Sequence, residues 1–302
     1  MKKLFAAILI FVTAFAFCAC DFFESFTEAG FGENLDGALI AHFIDVGQGD
    51  SVFIELPGEK VMLIDGGSRG YADTVIKYIK KYKIDKIDYL VATHPHEDHI
   101  GGLPEVIKAF EIGQIYMPKA EANTKIFGQL LDSIEAKGLK IKSSKAGVNI
   151  LDEGGLRIDI ISPAKDSYSD VNDYSAVIKI TYGSISMIFM GDASVNAENE
   201  ITADVSADLL KVGHHGSSTS TSADFLKRVN PKYAVICVGK GNTYGHPTAA
   251  ALNRLKKQNV EIYRTDINGS IIASSNGAKI IFSTQKGSDK TKSEENSSGK
   301  SK

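Results

Sequence analysis

His94-Pro95-His96-Glu97-Asp98-His99-Ile100-Gly101-Gly102 is the stretch that decides how this chain is read. It follows a short apolar run, residues 88–92, that has the length and composition of a buried strand. His94 and His96 are two apart, so an extended backbone projects both imidazoles to the same side. Asp98 and His99 follow in the turn, where they can face a second metal about 3.5–4 Å from the first. Gly101-Gly102 then lets the chain turn tightly into the next helix. Three of the seven histidines fall within these six positions, 94–99. A solvated polar loop has no need of that spacing, and a metal centre does.

Further candidate ligands lie where other strands end. Met190-Gly191-Asp192 closes an apolar run with a carboxylate suited to bridging two cations, and Gly213-His214-His215-Gly216 follows the apolar run 209–212 in the same manner. Strands are expected over residues 39–46, 51–56, 60–64, 88–92, 114–117, 139–142, 156–161, 176–182, 186–190, 209–212, 233–238, 260–263, 270–273 and 278–282. Helices are expected over 71–82, 103–110, 126–137, 195–201, 223–229 and 248–258. Interleaved in this way they make an α/β protein. One folded unit over residues 38–284 is long enough to bury a substantial core.

The two ends read differently. Lys2 and Lys3 precede an apolar stretch, residues 4–17, that ends in Cys18-Ala19-Cys20. A basic start, a short apolar segment and a small residue before the cut form an export signal over residues 1–19. The stretch is shorter than the roughly 20 residues of a spanning helix. Phe17-Cys18-Ala19-Cys20 resembles a bacterial lipobox, with Cys20 the lipidated residue and Phe17 in place of the usual Leu. Residues 20–37 then form a tether, and the domain is an extracytoplasmic lipoprotein anchored to the cell membrane. Removing Cys18 and acylating Cys20 leaves Cys237, which excludes a disulfide framework. Residues 285–302, almost wholly Ser, Lys, Glu, Gly and Asp, form a disordered tail. The net charge of −3 provides no bulk attraction for nucleic acid, so such a substrate needs a local basic groove.

Phe43-Ile44-Asp45-Val46-Gly47-Gln48-Gly49-Asp50-Ser51, Leu63-Ile64-Asp65-Gly66-Gly67 and the histidine cluster together resemble the metallo-β-lactamase superfamily. More narrowly they are similar to the C-terminal domain of ComEC-type DNA-uptake proteins. Asn172-Asp173-Tyr174-Ser175, Gly191-Asp192, Leu210-Lys211-Val212-Gly213-His214-His215-Gly216-Ser217 and Asn242-Thr243-Tyr244-Gly245-His246-Pro247 extend the resemblance over residues 39–275. It implies a single αββα sandwich with a metal site along one edge of two packed sheets. By the same resemblance His94 and His96 hold one metal. Asp98, His99 and one of His214 and His215 hold the other, with Asp192 bridging, and His215 is the favoured ligand of the pair. The family's further histidine has no counterpart between His99 and His214, so the first metal is held by Asp173 or Asn172 or keeps an open position for water. Nitrogen and oxygen donors without thiolate suit zinc, with manganese compatible.

Asp65 either orients a ligand through a hydrogen bond or forms the turn before Gly66-Gly67. Asp45 and Asp50 brace the site or the turn. His42 reads as a structural histidine and Cys237 as a buried thiol. Ser217, Asn242 and His246 are candidate substrate contacts, with N-capping the alternative for the hydroxyl run 217–222 and anchoring of its own loop the alternative for His246. The expected activity is hydrolysis of a phosphodiester, DNA foremost, by a water activated between two divalent metals, with Asp98 and His214 as the catalytic residues. Esterase action on cell-wall phosphorylcholine or another phosphoester, β-lactam or lactone hydrolysis, and a non-enzymatic binding lipoprotein stand as alternatives. No protein partner can be inferred from the residues.

Overall fold

Strand by strand, the computed structural model of the protein, which describes residues 37–286, divides its apolar side chains between two sheets. The readings of residues 1–36 as leader and tether and of 287–302 as tail lie outside the described residues. Among the described residues no helix is long and apolar enough to cross a membrane.

The strands are β1 (Leu39–Phe43), β2 (Val52–Glu55), β3 (Val61–Ile64), β4 (Lys86–Val91), β5 (Glu111–Met117), β6 (Ile141–Ser143), β7 (Val148–Glu153), β8 (Leu156–Ser162), β9 (Val177–Tyr182), β10 (Ile185–Phe189), β11 (Leu209–Lys211), β12 (Tyr233–Ile236), β13 (Glu261–Arg264), β14 (Ile271–Ser275) and β15 (Ile280–Thr284). The first sheet runs β15-β14-β1-β2-β3-β4-β5-β6 and the second β13-β12-β11-β10-β9-β8-β7. Each begins as an antiparallel meander and continues as parallel strands joined through helices.

Alternation along each strand shows why two layers of helix are needed. Met62 and Ile64 of β3, and Met187 and Phe189 of β10, point into the core between the sheets. Their neighbours Val61 and Leu63 point to the opposite face, packing with Val75, Ile79, Leu103 and Val106 of helices Ala72–Lys80 and Leu103–Ala109. Ile188 likewise packs with Phe225 and Leu226 of helix Ala223–Val229. Sheets that are apolar on both faces must be covered on both, and the result is helix, sheet, sheet, helix. Phe43 and Phe189 stack across the central layer with ring centroids 6.0 Å apart. Each is fully buried, worth about 1.5–3 kcal/mol by area.

Most expected elements are present with ends shifted by a residue or two. Three differences have physical reasons. β7 was not expected, because Asn149, Asp152 and Glu153 interrupt its alternation at the sheet edge, where the register also slips between Asn149 and Leu151. Helix Thr265–Asn268 is a single turn, too short to show a period. The strand expected over 139–142 is β6, displaced toward Ser143 and exposed along its length, so no apolar face fixed its ends.

Candidate metal centre

Parallel strands end on the same side of a sheet, and here those ends place the cluster. Asp65 follows β3, Thr93 and His94 follow β4, Asp192 follows β10, and His214 and His215 follow β11. The two sheets bring these ends against one another. Gly49 lets the turn after β1 press on the histidine loop: its backbone has φ +141, and a Cβ there would lie 2.2 Å from the carbonyl oxygen of Asp98. The Asp50 N–H donates to that same carbonyl at 3.1 Å.

Each buried imidazole is held by one nitrogen, leaving the other directed inward. The Thr93 hydroxyl donates to Asp65 Oδ2 at 2.6 Å, so its oxygen accepts from His94 Nδ1 at 3.1 Å. His99 Nδ1 donates to Asp65 Oδ2 at 2.7 Å, and His215 Nδ1 donates to the Cys237 carbonyl at 2.9 Å. These bonds turn Nε2 of His94, His99 and His215 toward Asp192 at 3.7, 3.2 and 3.6 Å. His96 Nδ1 stands 3.0 Å from His94 Nε2, and Asp98 Oδ2 stands 3.2 Å from His215 Nε2. Two donor groups result: His94, His96 and Asp192, and then His99, Asp192 and His215, with Asp98 beside His215 at the edge of the second.

Asp50 also lies among the ligand-capable atoms near His99, Asp192 and His215. Its oxygens, however, reach the Nδ1 sides of His99 (3.8 Å) and His215 (3.3 Å), and one of them pairs with the buried Lys211 ammonium. It therefore sits behind the rings, whereas Asp98 approaches His215 on its Nε2 side. Lys211 Nζ also donates to the Gly191 carbonyl at 3.0 Å, one residue before Asp192. The sequence reading left Asp45 and Asp50 undivided. Asp45 caps its own turn by accepting from Gly47 N–H at 3.2 Å, whereas Asp50 backs the cluster.

The donor set fits divalent cations. His99 Nε2 and Asp192 Oδ1, buried and 3.2 Å apart, have no hydrogen-bond partner beyond each other, at the point where the two groups meet. The electrostatics there call for positive charge. Burial opposes protonation of His99 and His215, yet Asp192 and the other carboxylates outweigh it, raising His99 well above its ordinary value and His215 to about 9. Burial likewise opposes ionisation of Asp98 and Asp192, but the neighbouring imidazoles hold both carboxyls below the usual range. His94, pushed down by burial and by His99, stays a neutral donor.

The remaining candidates separate. Asp173 accepts from Ser194 Oγ at 2.5 Å and is not grouped with His94, His96 and Asp192, while Asn172 Oδ1 is buried without a partner. Asp65 serves both of its expected roles, at φ +59 in the turn and bonded to His99. Ser217 Oγ bonds Thr219, and Ser222 caps helix Ala223–Val229 by accepting from Phe225 N–H at 3.1 Å. Ser220 Oγ donates to the Ala193 carbonyl at 2.5 Å and Thr221 Oγ1 accepts from the Gly213 N–H at 3.1 Å, so the run is used for capping at its end and for tertiary contacts within it. His42 is engaged by Glu55 at 2.9 Å and Tyr78 at 3.1 Å.

A cavity of about 500 Å³ opens over the cluster, lined by His96, Asp98, Asp192, His214, His215 and His246 together with Gln48, Ser68, Glu97 and Tyr244. His214 is a quarter exposed, with Nε2 3.7 Å from Asp192. Sequence reasoning missed Thr93, Lys211, the Cys237 carbonyl and Tyr244. The signal for Lys211 was there, a single charge inside an apolar strand that ends at the histidine pair.

The fold and the donor set together define an αββα protein able to hold metal ions where its two sheets meet, and comparison with known proteins gives its family. The sequence model of the metallo-β-lactamase superfamily matches residues 44–240, and the chain belongs to that superfamily. Within it, the chain is 31% identical over 248 residues to ComE operon protein 3 of Bacillus subtilis (strain 168), a match covering 76% of this chain and 32% of that protein. It is 28% identical over 232 residues to Competence protein ComA of Neisseria gonorrhoeae, covering 75% and 31%. The chain thus spans about a third of the length of the curated relatives it matches. Among solved structures, CmlA, a diiron β-hydroxylase from Streptomyces venezuelae, superposes with a TM-score of 0.50 at 12% identity over 75% of this chain and 52% of that one, a likeness of fold alone.

Proposed function

We propose that the protein is an exported phosphodiesterase acting on nucleic acid, DNA foremost, with zinc as its metal. The observation that carries this reading is the convergence of His94, His96, Asp98, His99, Asp192 and His215 at the floor of an open cavity. The competence proteins among its relatives favour DNA as the polymer. Two divalent cations bound there would bring a water's pKa toward neutrality and stabilise charge on the attacking and leaving oxygens of a phosphodiester.

The chain's own groups supply the rest. Asp98 is the most exposed carboxylate of the cluster, at 31%, and is held ionised. Its carboxylate would take the proton lost by the attacking water and return it to the ester oxygen, which leaves as an alcohol when the P–O bond breaks. His214, lowered by burial and by the charges of His215 and His99, is neutral at pH 7 and offers a neutral hydrogen bond to a phosphoryl oxygen. Asp65, Thr93 and the Cys237 carbonyl fix the ring orientations, and so limit reorganisation during the reaction. Lipidation of Cys20 would hold this activity at the outer face of the cell membrane.

The test is metal analysis of purified protein, followed by incubation with single- and double-stranded DNA, bis(p-nitrophenyl) phosphate and p-nitrophenyl phosphorylcholine. Close to two transition-metal ions per chain and chelator-sensitive cleavage of DNA are expected. Preference for the choline ester with intact DNA would move the assignment to cell-wall phosphorylcholine. Metal-free protein inert toward every phosphoester would refute the reading.

A further inference from the structure

Tyr244 is the most exposed large hydrophobic side chain among the described residues, at 70%. Exposure alone says little, since single surface aromatics are common. Its placement says more, because it lines the cavity above the metal cluster. The loop that carries it is fastened by one side chain. Asn242 Oδ1 accepts from the N–H groups of Tyr244 and His246, both at 3.1 Å. Asn242 Nδ2 donates to the carbonyls of Gly239 at 3.0 Å and His246 at 2.6 Å. The loop also leans on the opposite wall, where the Gly239 N–H donates to Gln48 Oε1 at 3.1 Å. Asn242, expected from sequence to contact substrate, here positions the residue that follows it by two.

The ring itself is oriented. Tyr244 lies nearly parallel to His246, with centroids 5.9 Å apart and 25° between planes, and His246 meets His214 edge-on at 5.5 Å. A row of rings thus leads from the cavity mouth to the cluster. Tyr244 stands against His246 and keeps most of its surface exposed where it lines the cavity.

We infer that Tyr244 is a stacking platform for a nucleobase next to the scissile phosphodiester, so that the substrate is single-stranded nucleic acid. The inference rests on the phosphodiesterase reading and narrows it. A base within a duplex has both faces covered by its neighbours, whereas an unpaired base can give one face to Tyr244. Stacking of this kind tolerates any base, and so selects for strandedness ahead of sequence. A chain with net charge −3 has little bulk attraction for phosphates, which makes a non-ionic contact more important to binding.

The test compares two fluorescein-labelled oligomers of equal length, oligothymidylate and a backbone of abasic tetrahydrofuran residues. Anisotropy in the presence of chelator reads binding without turnover, and cleavage is followed separately with metal. The parent should bind oligothymidylate more tightly than the abasic oligomer. Tyr244→Ala should lose about 5- to 150-fold in affinity for oligothymidylate, while Tyr244→Phe keeps it, and the abasic oligomer should not distinguish the two variants. Equal binding of oligothymidylate by Tyr244→Ala and Tyr244→Phe overturns the stacking inference even where DNA is cleaved. Failure of the parent to cleave DNA or any small phosphodiester refutes the underlying activity instead, and the platform with it.

Discussion

Lys211→Met should be among the most damaging single substitutions in this protein outside the hydrophobic core. Lys211 is 1% exposed and its partner Asp50 4%, and both belong to the layer directly behind His99 and His215. Methionine fills much the same volume, so the change removes charge more than packing. It leaves the Asp50 carboxylate buried without its principal cation and removes a donor from the Gly191 carbonyl. Breaking a buried pair from one side costs about 3–5 kcal/mol. In a domain of this size that corresponds to a fall in Tm of about 6–20 °C. The assay is urea unfolding with chelator present, so that metal binding does not mask the effect, for the parent, Lys211→Met, Asp50→Asn and the double variant. If the penalty is the stranded charge, the double variant should be more stable than Lys211→Met alone, because a neutral amide leaves no carboxylate uncompensated. A loss below about 1 kcal/mol for Lys211→Met, or a double variant as unstable as the sum of the singles, would refute the reasoning.

Three further outcomes are expected. Asp192→Asn should reduce metal content from near two ions per chain toward one or none by elemental analysis, since an amide is a poor bridge between cations, and unchanged stoichiometry would remove Asp192 from the donor set. His215→Ala should lose metal, whereas His214→Ala should keep it and slow turnover of bis(p-nitrophenyl) phosphate by about 2- to 13-fold, the worth of a neutral hydrogen bond; full metal content and near-parental turnover in both variants would make the pair structural. Glu198 is raised above its ordinary value by burial, although Ser222 and Thr221 N–H groups bond it, so the folded state holds its proton more tightly than the unfolded state does. Its contribution is then full below pH 4.5 and lost as pH rises through the folded value, so the parent's stability relative to Glu198→Gln should increase from pH 7 to pH 4 in urea melts; a constant or opposite difference would contradict the sign.

Much of this architecture is visible in the residues because burial imposes period two on strands. Met62, Leu63 and Ile64 must serve two faces, and an apolar run followed by a polar ligand-type residue marks both a strand and its exit. That is why His94, Asp192 and the His214-His215 pair could be placed at strand ends from spacing alone. What spacing does not carry is orientation. Asp45 and Asp50 share one turn, and only the third dimension puts Asp50 against Lys211, 161 residues away, and leaves Asp45 on its own loop. Backbone groups are equally invisible: the Cys237 carbonyl orients His215, yet any residue at position 237 would present one. Tyr244 stands in a sequence motif without a role of its own, because sequence does not say whether an aromatic residue faces a core or a cavity.

The return of β14 to the first sheet has a consequence for how the chain can be made. β14 pairs with β1 from Leu39↔Ser275 to Phe43↔Ile271, so a strand near the start of the domain waits for one more than 200 residues later. In cell-free synthesis without the leader, at about 5–20 residues per second, that edge of β1 stays open for roughly ten seconds or longer. Apolar β1 is then a ready template for pairing with another chain until β14 and β15 arrive to cover it. The residues of the cluster are all in place by position 215, but the edge of the sheet beneath them is covered only by the last strands of the domain. A ribosome-bound chain stalled before position 270 should therefore aggregate more readily than one released after 284, whatever metal is supplied.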